Sequence, residues 1–101
     1  MAIYKNISAS GTTHTTLITK GNNVSGAIKK VTIANTSSTI EPIVILFIYD
    51  GTNTYTFTRT SIPTGATLIL DDNLTFNSNI FDLKITTYHA SGTVDLTIII
   101  K

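Results

Sequence analysis

Short runs of apolar residues, alternating with Thr and Ser or abutting them, recur about every ten residues, and Gly, Asn, Asp, Ser or Pro separates one run from the next. No stretch of the chain places apolar residues at the three-and-four spacing of a helix face. The pattern predicts strands over residues 3–7, 13–20, 28–35, 43–49, 54–60, 67–71, 81–89 and 94–100. Turns are expected at Gly21-Asn22-Asn23, Asp50-Gly51-Thr52-Asn53, Ile62-Pro63-Thr64-Gly65 and Ala90-Ser91-Gly92, where Gly and Asn tolerate positive φ and Pro presets φ. Short strands at this interval predict an all-β fold: an eight-stranded antiparallel β-sandwich, jelly-roll-like, as a single domain over residues 1–101. The abundance of Thr and Ile agrees, because β-branched side chains lose rotamer freedom in helices and pack well on pleated sheets.

One hairpin can be read to the level of facing. A loop centred on Gly51-Thr52 pairs Ile48 with Tyr55 and Leu46 with Phe57. The two-residue period then puts Val44, Leu46 and Ile48 on one face with Tyr55 and Phe57, and this face is the expected core. Ile43, Ile45, Phe47 and Tyr49 fall on the other face with Thr54, Thr56, Thr58 and Thr60. A small sandwich covers only one face of each sheet, so these four residues need a further cover. Either a loop or terminal segment folds over them, or they form a protein interface; the interface is the reading carried forward.

Composition narrows the partners. Hydrophobic residues make up 42% of the 101 residues but charged residues only 13%, so the surface is polar mainly through Thr, Ser and Asn. Seven Lys and Arg against six Asp and Glu leave a net charge of +1, and the basic residues are scattered, so no nucleic-acid footprint is expected. Near-neutrality gives little colloidal repulsion and favours close protein contact, including homo-oligomers. There is no Cys, so the fold is held by packing without disulfides or thiolate metal sites. The N-terminal residues carry no apolar signal segment, and no apolar run approaches the ~20 residues of a membrane helix. Synthesis in a cytoplasm, with no membrane partner, is the expectation.

Candidate chemistry is sparse. His14 and His89 are the only histidines available as a base, both in strand-like Thr-rich contexts, and no Gly-x-Ser-x-Gly elbow accompanies them. No catalytic residue is assigned. Asp71-Asp72-Asn73 is the only acidic cluster, and it lacks the alternating ligand spacing of a calcium loop, so it reads as a turn and no metal is assigned. The six glycines are isolated and form no phosphate cradle, and no cofactor is expected. Tyr49 with Asp50 and Asn53 is the best candidate for sugar recognition, which wants an aromatic platform beside fixed polar groups.

The stretch Ile62-Pro63-Thr64-Gly65-Ala66-Thr67-Leu68-Ile69-Leu70 resembles an Ile-Pro-x-Gly-x-x-Leu-x-Leu phrase of small β-sandwich virion proteins of tailed bacteriophages. Ile80-Phe81-Asp82-Leu83-Lys84-Ile85-Thr86 and Ser91-Gly92-Thr93-Val94-Asp95-Leu96-Thr97-Ile98 are similar to the last two strands of those subunits. The resemblance spans the C-terminal part of the chain and transfers no catalytic residue. It implies a non-enzymatic virion structural protein, foremost a capsid decoration or cement subunit, with a neck or tail component as the alternative. Its partners would be other virion proteins, the major capsid protein or neck and tail proteins. A carbohydrate- or receptor-binding β-sandwich module is the rival from a different class.

Overall fold

The computed structural model describes residues 3–21, 30–71, 76–77 and 79–101. The described residues form six strands, β1 (Ile3–Ile18), β2 (Val31–Asn35), β3 (Ile43–Tyr49), β4 (Thr54–Ser61), β5 (Thr67–Leu70) and β6 (Asp82–Ile100), and contain no helix. Every pairing is antiparallel, and the strands form one sheet in the order β4-β3-β6-β2-β5, with β1 paired to β6.

The all-β class is as expected, but among the described residues the eight expected strands appear as six, in one sheet curled into a half-barrel rather than in two separate sheets. The expected strands over 3–7 and 13–20 are one 16-residue strand, and those over 81–89 and 94–100 are one 19-residue strand. A straight strand of β6's length would reach about 60 Å at ~3.3 Å per residue. The longest dimension of the molecule is 37 Å, so β6 has to fold back on itself, and β1 follows it. The bend lies where Ser10 pairs Thr93 and Thr12 pairs Tyr88, which sets Gly11 alone against residues 89–92. Gly11 (φ 62°) and Gly92 (φ 83°) adopt the left-handed conformation that lets the ladder turn this corner without ending. His89 closes the corner by donating from Nε2 to the Gly92 carbonyl at 2.7 Å. A side chain at 92 would be strained by that φ and would require the Ile40 side chain, whose Cδ1 lies 2.8 Å from the Cβ position, to move.

The bend divides the sheet into two four-stranded arms. The first joins residues 3–10 of β1, residues 93–100 of β6, β2 and β5; the second joins residues 12–18 of β1, residues 82–88 of β6, β3 and β4. The inward faces of both arms share one core: Ile7, Val31, Ile33, Leu96, Ile98 and Ile100 from the first, and Leu17, Ile18, Val44, Leu46, Leu83 and Ile85 from the second. Leu17 and Ile18 are consecutive yet both buried, because a bulge between Thr16 and Ile18 turns the strand by one residue.

A single buried amide ties the loops at one end. Asn35, 2% exposed, donates from Nδ2 to the carbonyls of Ile40 and Ile62 at 2.8 and 2.9 Å and accepts from Ser37 N at 3.0 Å. It thereby joins the β2–β3 connection to the β4–β5 connection. The Pro63-Thr64-Gly65-Ala66 turn beside it closes with Ala66 N on Pro63 O at 3.0 Å, with Gly65 at φ 75°, so the Ile-Pro-x-Gly phrase is a turn leading into β5. The turn expected at Gly21-Asn22-Asn23, the start of the strand expected over 28–35, and Asp72-Asn73 lie outside the described residues.

Candidate binding face

The β3–β4 hairpin carries the candidate face, and its register follows the expectation only at the tip. Ile48 pairs Tyr55 as predicted, but Leu46 pairs Thr58, because a bulge leaves Phe57 without an opposite residue. Beyond the bulge β4 is turned over: Thr58 and Thr60 sit opposite the buried Leu46 and Val44, and Arg59 and Ser61 take the outer positions expected for them. Tyr55 remains half out of the core at the strand's edge and meets Phe81 edge to face, with centroids 5.9 Å apart.

β3 itself alternates as the pattern demands. Val44, Leu46 and Ile48 are buried; Ile43, Ile45, Phe47 and Tyr49 are half-buried on the opposite side. Their same-side neighbours on β6 are Tyr88, Thr86, Lys84 and Asp82, and on β4 Ser61, Arg59, Thr56 and Thr54. β1 adds Thr12, His14 and Thr16 beyond β6. The outer face of the second arm is thus an apolar stripe of β3, extended by the exposed Tyr88, between margins of hydroxyls and two cations.

At the hairpin end the face dips into an open depression of about 290 Å³ lined by His14, Phe47, Tyr49, Thr54 and Lys84. The Lys84 ammonium lies 5.2 Å from the centre of the Tyr49 ring, a cation–π distance. His14 Nδ1 is 2.8 Å from Thr86 Oγ1, which leaves Nε2 as the ring nitrogen available to another group. The Tyr49 hydroxyl donates to Gly51 O at 2.8 Å and fixes its ring against the loop.

The loop is self-contained. Asp50 Oδ1 accepts from Asn53 N at 2.6 Å and Thr52 N at 2.8 Å, and Asp50 N donates to Asn53 O at 3.2 Å. The Asn53 amide first, then that of Thr52, holds the Asp50 carboxyl below its ordinary value. Of the groups that were candidates for sugar recognition, the Tyr49 hydroxyl and Asp50 Oδ1 are thus engaged inside the hairpin, and Asn53 takes part through its backbone. Among the described residues no three His, Asp or Glu side chains converge as metal ligands.

The sequence pattern found the β3 stripe but not Lys84, His14 and Thr86 beside it. Lys84 alternates correctly along β6 with Asp82, Thr86 and Tyr88, yet nothing local says that β6 pairs with β3 across more than thirty residues of chain. His89 is far from this face, buried at the corner, with Nδ1 lacking a hydrogen-bond partner among the described residues. Comparison of the chain with protein-family models, with curated proteins and with solved structures finds no match.

Proposed function

We propose that the chain is a non-enzymatic virion structural subunit, foremost a capsid decoration or cement protein, which docks on the particle through the outer face of the second arm. The observation that carries this reading is the neighbour order of the strands. Counted at their bends, β1 and β6 supply two segments each, and the eight segments fall into the orders first–eighth–third–sixth and second–seventh–fourth–fifth. That is the neighbour order of an eight-stranded jelly roll, an architecture that recurs in viral capsid proteins and lectins. The half-buried Ile43, Ile45, Phe47 and Tyr49 supply a docking stripe of the kind that marks protein contact. Fold alone does not carry function, so the docking face is the part of the reading that has to be tested.

The test is the position and copy number of the chain in purified particles, measured by quantitative mass spectrometry and by locating its density in a particle map. Many copies on the capsid lattice, contacting it through β3, are expected. A few copies at the neck or tail would move the subunit to that position, and absence from particles would sink the virion reading. The depression walled by Phe47 and Tyr49 favours a second reading, a carbohydrate- or receptor-binding module, which predicts saccharide binding by the isolated chain.

A further inference from the structure

We propose that the depression seats a carboxylate side chain of the docking partner, flanked there by apolar or aromatic groups; this rests on the docking reading above and names the partner's chemistry. The wall of the depression holds one cation, Lys84, and no carboxylate. Arg59 stands on the same face opposite Ile45. The neighbouring carboxylates lie outside that wall and are held by hydrogen bonds: Asp82 Oδ1 accepts from Lys20 N at 2.7 Å, Glu41 Oε1 from Ser61 Oγ at 3.2 Å, and Asp50 Oδ1 from the Asn53 and Thr52 amides. His14, whose Nδ1 is 2.8 Å from Thr86 Oγ1, and Thr54 complete the lining. Phe47 and Tyr49 form the apolar sides. An arriving carboxylate would therefore meet the Lys84 ammonium beside the Tyr49 ring, where a charge-assisted hydrogen bond gains over its strength in open water. A neutral apolar partner would fill the same space but leave Lys84 partly buried and unpaired, which is unfavourable.

The experiment separates this inference from the reading it rests on. The full chain, isotope-labelled, is titrated with phenylacetate, with phenylacetamide as a neutral probe of the same shape, and with galacturonate as a sugar acid. Phenylacetate is expected to shift the resonances of Phe47, Tyr49, Thr54 and Lys84 and to bind about three- to fivefold tighter than the amide, the margin of a partly exposed ion pair. Lys84→Gln should erase that margin while leaving the amide's affinity unchanged. Equal binding of acid and amide, no shifts at the depression, or an intact margin in Lys84→Gln would each overturn the proposal. Tighter binding of galacturonate than of phenylacetate would overturn it in favour of a saccharide. In parallel, co-sedimentation with particles is measured for the native chain and for Lys84→Glu, whose fold is checked by circular dichroism. Charge reversal is expected to weaken co-sedimentation about tenfold or more, and an undiminished Lys84→Glu would overturn the proposal. If the native chain fails to co-sediment, the docking reading falls, while the titration still decides whether the depression takes a carboxylate.

Discussion

The outer faces of the two arms are built from the same few residue types and behave in opposite ways. On the first arm the polar side chains satisfy one another across the β1–β6 ladder: Ser8 Oγ donates to Asp95 Oδ1 at 2.7 Å, Thr97 Oγ1 to Asn6 Oδ1 at 2.9 Å, and Ser10 and Thr93 share a hydrogen at 3.1 Å. Its apolar exposure is confined to one end, where Tyr4, Ile99, Thr32 and Ile69 line up across four strands. On the second arm the middle strand is apolar outside as well as inside, and Lys84, in the row Thr16, Lys84, Phe47, Thr56, rests on the Tyr49 ring. The paired polar rows of the first arm ask nothing of a partner, unlike its Tyr4 and Ile69 end. A face of half-buried Ile, Phe and Tyr gains free energy in proportion to the apolar area another surface removes from water.

The comparison breaks first if inside and outside have been confused on β3. Leu46, fully buried, and Phe47, half-buried, are neighbours on opposite sides. Leu46→Asp should abolish cooperative unfolding, since an unpaired buried carboxylate costs several kcal/mol against a total stability of about 5 to 15. Phe47→Asp should leave β structure by circular dichroism and weaken self-association or particle binding. Exchange of the two phenotypes would mean the register is slipped by one residue.

A smaller loss is expected where the loops of both arms meet. Asn35→Leu deprives Ile40 O, Ile62 O and Ser37 N of their partner and should lower stability by about 3 kcal/mol in urea unfolding. A change below about 0.5 kcal/mol would show that water replaces the amide and that the connections are not held by it.

The polar face should be almost silent. Ser8→Ala removes an exposed hydrogen bond to Asp95 and is expected to change stability by about 1 kcal/mol or less and association not at all. Any loss of association comparable to that of Phe47→Asp would abolish the contrast between the faces.

The least effect belongs to Asp50 and is visible only as a pH dependence. Its carboxyl lies below the ordinary value of 3.8 because the Asn53 and Thr52 amides favour the charged form. A folded pKa below the unfolded one adds stability that is fully present above the unfolded pKa and is lost as pH falls through the folded one. The native chain should therefore exceed Asp50→Ala in unfolding midpoint at neutral pH, with the difference shrinking below about pH 4. A difference that persists unchanged into stronger acid would assign the effect to the loop backbone rather than to the carboxylate.

What the sequence determined by itself was local: the β class from Thr and Ile, the turns from Gly and Pro, and the alternation that buries Val44, Leu46 and Ile48 while turning Ile43, Ile45, Phe47 and Tyr49 outward. Side-chain facing in a strand follows from a period of two and needs no knowledge of the neighbour. Three matters were decided only by tertiary structure. Gly11 and Gly92 read as strand breaks, yet the ladder runs on through them, because pairing between β1 and β6 holds both strands together across the bend. The bulge at Phe57 sets Thr58 and Thr60 opposite the buried Leu46 and Val44, an irregularity of pairing between β3 and β4 that a strict period of two does not contain. Lys84 and His14 join Phe47 and Tyr49 because β6 threads between β1 and β3, and contacts so distant in sequence are set by the shared core, whose apolar burial no single segment can achieve alone.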